Sequence, residues 1–232
     1  MLNFEAFEVL TFDCYGTLID WENGLLGALN PIFAAHQIQA DDEQLLALYG
    51  EFEAAEESGE YQNYKAVLKN VLRRLGKEFD FAPSESELDE FSTSIKHWLP
   101  FADTVKALQS LKKKYQLAII SNIDDDLFAF SNERLNVKFD WVITAEQVKS
   151  YKPSHNNFLQ AIERIAKPKE KILHVAQSIF HDIIPAKQLG IANVWVNRRH
   201  GKAGAGATKA AAAQPDWEVT DLQSLARICG IK

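Results

Sequence analysis

Short apolar runs rich in β-branched and aromatic residues recur along the chain and predict buried strands. They are FEVLTF (7–12), QLAIIS (116–121), FDWVIT (139–144), KILHVA (171–176) and ANVWVN (192–197). Stretches of helical periodicity separate the last four; before the fourth run, for example, Phe158, Ile162 and Ile165 share one helix face. Strands alternating with helices predict an α/β fold with a doubly wound, mostly parallel sheet. Helices cover both faces of such a sheet, which explains why the runs are apolar throughout.

Residues 20–98 break this alternation. They contain no convincing strand but several predicted helices, at 21–36, 41–57, 61–76 and 84–97. We therefore predict an all-helical cap domain at 20–98, inserted into an α/β core domain formed by 1–19 and 99–232. The acidic run Glu51–Glu60 in the cap is interpreted as a solvated helix face. The Gly/Ala-rich stretch 200–213 is interpreted as a surface loop of little intrinsic order.

Composition and charge limit the function classes. The 232 residues suffice for one large domain or a core with an insertion, and 47% of them are hydrophobic. No apolar run is long enough to cross a bilayer and no signal peptide is evident, so we expect a soluble, cytoplasmic protein without a membrane partner. The net charge of −7 argues against a nucleic-acid partner. Cys14 and Cys229 have no metal-ligand spacing. The oligomeric state stays open, with a homodimer as one alternative.

Polar side chains follow four of the predicted strands, at or soon after the point where each ends. They are Asp13, Tyr15 and Thr17 after the first strand, Ser121 and Asn122 after the second, Lys152 after the third, and Gln177, Ser178, His181 and Asp182 after the fourth. Ligands of open parallel sheets bind beyond the carboxyl ends of the strands. We therefore expect these side chains to converge on one site at a single edge of the sheet.

The residue types at these positions suggest a covalent reaction. A carboxylate at a strand end beside a glycine can be presented rigidly, so Asp13 is the candidate nucleophile. Lys152 would keep Asp13 ionised and reduce its repulsion from Asp182. Thr17 and Ser121 can donate hydroxyl hydrogen bonds to the nucleophile or to a bound anion. Asp182 is then the candidate base that activates water for hydrolysis of an ester intermediate.

These residues lie in segments that resemble the four motifs of the haloacid dehalogenase superfamily, in the same order. The segments are LTFDCYGTLIDW, IISN, YKP and HVAQSIFHD. The resemblance covers nearly the whole chain, because that superfamily places one type of cap after its first motif. It implies a Rossmann-like core with Asp13 as nucleophile, Ser121 as a ligand-binding hydroxyl, Lys152 as charge balancer and Asp182 as the final acid.

Two positions depart from the pattern of the superfamily's phosphatases. Those enzymes use Asp-x-Asp in the first motif, and the second Asp protonates the leaving group. Here that position is Tyr15, whose ordinary pKa of about 10 makes it no equivalent acid near neutrality. Where a second acid usually precedes Asp182, this chain has Gln177. Asp13 and Asp182 would then be the charged ligands and Lys152 would compete for both, so we predict no metal and no cofactor.

The form Asp-x-Tyr-Gly-Thr-Leu instead resembles the metal-independent type II 2-haloacid dehalogenases. In those enzymes an Asp displaces halide from a small 2-halo acid, and water hydrolyses the resulting ester. The resemblance implies that the substrate here is a small carboxylic acid. Asn122 would contact the leaving group or the substrate carboxylate, Tyr15 would wall the pocket, and Gln177 and Ser178 would lie near the substrate.

One residue of the dehalogenase pattern is missing, namely the cap Arg that receives the halide. The first arginine here is Arg73, and Gln44, near the expected place, is no guanidinium. Other segments resemble L-azetidine-2-carboxylate hydrolases, in which a strained ring opens and an amine leaves. They are FDCYGTLIDWE, SIKHW, SNID, SYKP, HDIIPA and NRRHGKAGAGAT. An amine needs a proton, which the cap acids or His181 could provide. A phosphatase with a degenerate magnesium site and a non-catalytic small-molecule-binding protein stay open as alternatives.

Overall fold

The computed structural model describes residues 2–231 and contains a six-stranded sheet in which every pair of neighbours is parallel. The strands are β1 (Val9–Phe12), β2 (Gln116–Ser121), β3 (Trp141–Thr144), β4 (Ile172–Ala176), β5 (Ala192–Val196) and β6 (Trp217–Val219). The predicted α/β fold is confirmed, and all five predicted strands are present. The sequence did not predict β6, because a run of three residues just after Pro215 carries almost no periodic signal.

Ten α-helices surround or extend from the sheet within the described residues. They are α1 (Trp21–Ala35), α2 (Asp42–Glu57), α3 (Tyr64–Glu78), α4 (Glu85–Thr93), α5 (Thr104–Leu111), α6 (Asp125–Leu135), α7 (Ala145–Val148), α8 (His155–Ile165), α9 (Ile184–Gln188) and α10 (Leu222–Ile228). A single π-helical segment, Ile179–Ile183, precedes α9. None of the helices between residues 2 and 231 has the length and apolar character that crossing a membrane requires.

The first strand is the centre of the sheet. The order β3-β2-β1-β4-β5-β6 places β2 on one side of β1 and β4 on the other. Leu10 and Phe12 pack into the core on one face, while Val9 packs into a separate cluster on the opposite face. All four residues of β1 are buried. The chain reverses its winding direction at β1, which makes the crevice at its carboxyl end the natural ligand position of such a sheet.

Local capping explains why the predicted helical insertion begins its helices where it does. The side chains of Asp20, Asp41 and Asn63 accept hydrogen bonds from backbone N–H groups in the first turns of α1, α2 and α3. Ser84 and Glu87 form a complete capping box at the start of α4. Such caps satisfy N–H groups that have no partner inside the helix. Packing then holds the helices together, because the inner face of α3 is wholly buried.

We propose that the cap comprises residues 20–98, because the two connections to the core run side by side. The backbone N–H of Asp20 donates to the carbonyl oxygen of Leu99 at 2.8 Å. Ile19 and Pro100 form an antiparallel bridge just below. The chain therefore leaves and re-enters the core at one place, as expected for an inserted unit that moves about a short hinge.

The Gly/Ala-rich stretch is more ordered than its composition indicated. Ala207 and Thr208 are buried, and Arg199 of the core donates to Glu22 of α1 at 2.6 Å. Arg199 also pairs with Glu43 of α2. The interpretation of 200–213 as a loop of little order is therefore wrong for residues 206–208, which pack against the cap. We call residues 198–208 the cap-contact loop.

Two glycines of α1 allow the packing of this helix against the hinge to be tested. Replacing Gly by Ala inside a helix ordinarily raises stability by up to about 1 kcal/mol. A Cβ on Gly24 would overlap the indole ring of Trp98, whereas one on Gly27 would meet no atom within 4 Å. We expect Gly24→Ala to lower the free energy of unfolding by about 1–3 kcal/mol. Gly27→Ala, the matched control, should raise it slightly. Urea denaturation measures both values, and equal effects would contradict the close contact.

Candidate active site

The polar residues predicted from strand ends come together where the sheet changes direction. Asp13 follows β1 directly, and Ser121 is the last residue of β2. Lys152 lies in the loop between α7 and α8, and Asp182 lies in the π-helical segment after β4. Parallel pairing of β1 with both β2 and β4 brings these loops to one edge of the sheet. The convergence therefore follows from the strand order.

A buried ammonium group connects the two aspartates. Lys152 Nζ donates to Asp13 Oδ1 at 2.8 Å, to Asp182 Oδ1 at 2.7 Å and to the carbonyl oxygen of Ile120 at 2.9 Å. These contacts use all three N–H donors of a lysine. The Lys152 side chain is only 1% exposed. One positive charge is thus fixed between two carboxylates at the centre of the site.

The three charges shift one another's pKa values in ways set by burial and pairing. Burial alone would lower the pKa of Lys152, but the two carboxylates outweigh it and raise that pKa. Burial raises the pKa of Asp13, although Lys152 and Thr17 oppose the shift. Burial would also raise the pKa of Asp182, but Lys152 and His174 outweigh it and hold that pKa below its usual value. Asp182 is therefore the more strongly stabilised of the two anions.

His174 secures Asp182 from the interior of the sheet. Its Nε2 lies 3.0 Å from Asp182 Oδ1, and its Nδ1 lies 2.9 Å from Thr11 Oγ1. These two contacts give both ring nitrogens of this buried histidine a partner. It also contributes to the site, because it fixes the orientation of Asp182.

Thr17 and Gln177 brace the site rather than line its cavity. Thr17 Oγ1 donates to Asp13 Oδ2 at 2.6 Å and accepts from the backbone N–H of Gln177 at 2.8 Å. The side-chain oxygen of Gln177 instead accepts from Thr208 at 3.3 Å. Neither residue is part of the cavity wall. Thr17 therefore donates to the candidate nucleophile, one of the two roles expected of its hydroxyl, and the expectation that Thr17 and Gln177 contact substrate stays a prediction.

A small cavity of about 30 Å³ lies above Asp13, between core and cap. Eight of the residues expected to converge line it: Asp13, Tyr15, Ser121, Asn122, Lys152, Ser178, His181 and Asp182. Five further residues complete its wall: Trp21, Glu53, Glu57, Tyr64 and Thr208. Trp21, Glu53, Glu57 and Tyr64 come from the helical insertion, so the cap forms the roof of the site.

Two cap glutamates point inward, which corrects the interpretation of Glu51–Glu60 as a solvated face. Glu53 is 3% exposed, and the Glu57 side chain is also 3% exposed. Glu53 Oε1 accepts from the hydroxyl of Tyr49 at 2.8 Å and from that of Tyr64. The spacing of Tyr49, Glu53 and Glu57, four residues apart, places them on one face of α2. That spacing is visible in the sequence, but it does not reveal that the face is buried.

Tyr15 and His181 are both held neutral in the cavity wall. The Tyr15 hydroxyl lies 3.0 Å from Ser131 Oγ, and its ring packs edge-on against Trp98. Burial raises the pKa of Tyr15 well above its ordinary value. Burial lowers the pKa of His181 to about 4. His181 Nδ1 lies 3.2 Å from Ser178 Oγ.

Several polar atoms in the cavity wall have no hydrogen-bond partner among the described residues. They are Glu57 Oε1, Ser121 Oγ, His181 Nε2 and Asp182 Oδ2. Buried polar atoms in folded proteins are nearly always paired, so a convergent set without partners indicates a polar ligand or water. These atoms lie around the same cavity as Asp13. The arrangement is therefore suited to a small polar substrate held beside a buried carboxylate.

The side chains present do not fit a divalent cation. Lys152 Nζ contacts one oxygen of Asp13 and one of Asp182, where a cation shared by the two carboxylates would compete with it. Tyr15 and Gln177 stand where further acidic ligands would be needed, and neither carries a carboxylate. Within residues 2–231, no three His, Cys, Asp or Glu side chains are grouped so as to hold a metal ion. Mg²⁺ requires a richer set of oxygen ligands than this.

Comparison with known proteins places this site in a family. The model of the haloacid dehalogenase-like hydrolase family matches residues 7–190. An (S)-2-haloacid dehalogenase of Pseudomonas fluorescens is 28% identical over 202 residues, which cover 82% of this chain and 84% of that protein. An (S)-2-haloacid dehalogenase of Pseudomonas putida is 28% identical over 198 residues, which cover 83% and 85%.

Solved structures show the same fold. The L-2-haloacid dehalogenase from Xanthobacter autotrophicus superposes with a TM-score of 0.80 at 21% identity, covering 96% of this chain and 98% of that chain. The L-2-haloacid dehalogenase PA0810 gives a TM-score of 0.79 at 21% identity, covering 97% and 99%. The fold and the family match together define a hydrolase of the haloacid dehalogenase superfamily. The chain belongs to the haloacid dehalogenase-like hydrolase family.

The buried state of Glu53 predicts a specific pH dependence of stability. Burial raises the pKa of Glu53 to about 7, whereas in the unfolded chain it would be about 4.3. Its contribution to stability is therefore fully present below pH about 4 and is lost as the pH rises through about 7. Between pH about 5 and 8, we expect wild type to lose about 2–3 kcal/mol more stability than Glu53→Gln does.

Urea unfolding at several pH values measures this difference. Glu51→Gln removes the same charge from the exposed side of the same helix and serves as the matched control. Parallel pH profiles of stability for wild type and Glu53→Gln would show that the pKa of Glu53 is not raised in the folded protein.

Proposed function

We propose that this protein is a metal-independent hydrolase that displaces a substituent from the 2-carbon of a small carboxylic acid. Asp13 attacks that carbon and forms an aspartyl ester. The observation that carries the proposal is the environment of Asp13. One of its oxygens is bonded by Lys152 and the other by Thr17. A carboxylate fixed at both oxygens beneath a small cavity is preorganised for attack on a carbon placed above it.

Asp182 is the proposed base for the second half of the reaction. Its Oδ1 is bonded by Lys152 and lies 3.0 Å from His174 Nε2, which leaves Oδ2 free in the cavity wall. A water bonded to Oδ2 would be oriented by an anion whose ionised form is strongly favoured. Attack of that water on the carbonyl carbon of the ester regenerates Asp13 and releases a 2-hydroxy acid.

The proposed substrate contacts come from the remaining wall residues. Ser121 Oγ has no hydrogen-bond partner among residues 2–231 and can donate to the substrate carboxylate. Asn122 and Ser178 lie beside it, and Tyr15 closes one side. The similarity to proteins named (S)-2-haloacid dehalogenases supports a substrate with a carboxylate next to the reacting carbon. Both a halide and the amine of a strained ring, as in azetidine-2-carboxylate, are leaving groups compatible with this chemistry.

Replacing the nucleophile tests the ester route. We expect Asp13→Asn to reduce kcat on any accepted 2-substituted acid by about 10³-fold or more, because the amide is a poor nucleophile. Wild-type turnover in ¹⁸O-water with enzyme in excess should place label in the peptide that contains Asp13. Asp42→Asn, an exposed position in α2, serves as the control. Full product formation without label in Asp13 would rule out the ester intermediate.

A phosphatase with a degenerate magnesium site is the alternative that a simple assay separates. We expect no magnesium-dependent hydrolysis of p-nitrophenyl phosphate, because Lys152 already lies between the two aspartates. Clear stimulation by magnesium would overturn this assignment. A non-catalytic protein would turn over neither 2-halo acids, azetidine-2-carboxylate nor phosphate esters.

A further inference from the structure

Glu57 reaches from α2 across the cavity to the core, and its two oxygens have different surroundings. Oε2 accepts from Asn122 Nδ2 at 3.0 Å and lies 3.6 Å from His181 Nε2. Oε1 is buried and has no hydrogen-bond partner within the described part of the chain. Glu57, Asn122 and His181 all line the same cavity as Asp13. An oxygen buried in this way indicates a missing partner, namely a bound ligand or water.

The neighbours of Glu57 determine which oxygen carries a proton when the carboxyl is neutral. Ser178 Oγ accepts from the backbone N–H of His181 at 2.9 Å and lies 3.2 Å from His181 Nδ1. His181 Nε2 lies 3.6 Å from Oε2, beyond hydrogen-bond distance, and has no partner among the described residues. Oε2 of Glu57 accepts from the Asn122 amide and is therefore the carbonyl oxygen of a neutral carboxyl, which leaves Oε1 as the hydroxyl. Burial, followed by repulsion from Glu53, raises the pKa of Glu57 well above its ordinary value.

The charge of the cavity wall limits what can leave the reacting carbon. Four carboxyl groups line it, namely Asp13, Asp182, Glu53 and Glu57. Among the described residues, Lys152 is the one lysine or arginine in this wall, and its three N–H donors are already used. An expelled halide would therefore meet carboxyl groups and no free cation. A leaving nitrogen would instead meet an acid with a free O–H.

We propose that Glu57 is the general acid of the reaction and that the leaving group it serves is an amine nitrogen. This rests on the proposed aspartyl-ester route. An oxygen of Asp13 forms a bond to C2 while the C2–N bond breaks and its electron pair moves to nitrogen. The leaving nitrogen takes the proton from the Oε1 hydroxyl of Glu57. Hydrolysis of the ester consumes one water and releases one proton, which returns to Glu57.

The proposal also defines the substrate class. An unstrained amine is a poor leaving group, so the nitrogen must belong to a small ring whose opening releases strain. The substrate is then a three- or four-membered cyclic 2-amino acid, and the product is an open-chain 2-hydroxy acid that bears an amine. An unstrained five-membered ring, as in L-proline, should not react.

Steady-state kinetics with two substrates test the role of Glu57. The substrates are L-azetidine-2-carboxylate and L-2-chloropropionate, and the enzymes are wild type, Glu57→Gln and the exposed control Glu51→Gln. We expect wild type to have the higher kcat/KM for the azetidine. Glu57→Gln should lower kcat for the azetidine by about 10²–10⁴-fold. It should lower any turnover of chloropropionate by a much smaller factor, because halide departs without a proton. Glu51→Gln should match wild type on both substrates.

Three results would overturn the proposal: an unchanged kcat of Glu57→Gln on the azetidine, an equal loss on both substrates, or a wild-type preference for chloropropionate. Circular dichroism establishes whether each variant is folded. If Glu57→Gln does not fold, Glu57→Asp decides, because it keeps an acid; measurable azetidine turnover supports the proposal and none in a folded protein contradicts it. Incorporation of ¹⁸O from water into Asp13 with either substrate would support the ester route even if the proposed role of Glu57 is wrong. If neither substrate is turned over and neither gives label in Asp13, both the ester route and the role of Glu57 are contradicted.

Discussion

The buried ammonium of Lys152 is the interaction on which the site depends. Asp13 and Asp182 lie in a region from which water is largely excluded, where two unscreened carboxylates would repel each other strongly. Lys152 contacts both and is itself almost fully enclosed. Because each partner compensates the burial of the others, no member of the trio can be removed without leaving an uncompensated charge. The strand order of the sheet serves this arrangement by bringing three separate loops to one point.

Core and cap contribute different chemical properties to the cavity. The core provides charges that are fixed and paired, through Lys152 and the two aspartates. The cap provides Glu53 and Glu57, whose pKa values burial raises. A carboxyl that stays protonated near neutrality can donate a hydrogen bond or a proton, which a paired carboxylate cannot. The two halves of the chain therefore bring together a nucleophile and candidate acids that neither half holds alone.

The sequence predicted the core half of the site better than the cap half, for a physical reason. Asp13, Ser121, Lys152 and Asp182 follow strands of a parallel sheet, and the ends of such strands meet whatever the detailed packing. The position of Gln177 could be predicted, but not the direction of its side chain, whose oxygen accepts from Thr208.

The inward face of α2 could not be predicted from the sequence. An acidic stretch ordinarily faces solvent, since burying a carboxyl group is costly unless partners are available. Glu53 accepts from Tyr49 of its own helix and from Tyr64 of α3, which both belong to the cap. Glu57 contacts the core residues Asn122 and His181, which are far away in the sequence and come within reach only when the cap docks on the core.

The small residues of the cap-contact loop allow close packing that composition alone does not reveal. A Cβ at Gly206 would collide with the Glu22 carboxylate and the Arg199 side chain, and the backbone conformation there, with φ of 65°, also favours glycine. Across the interface, a Cβ on Gly50 of α2 would lie 2.6 Å from the carbonyl oxygen of Ala207. Absent side chains are what let the two backbones touch and carry Thr208 to the cavity wall. The small residues of this low-complexity stretch are thus required for close packing. A larger side chain at Gly206 or Gly50 would push the loop away from the cavity whose wall it helps to form.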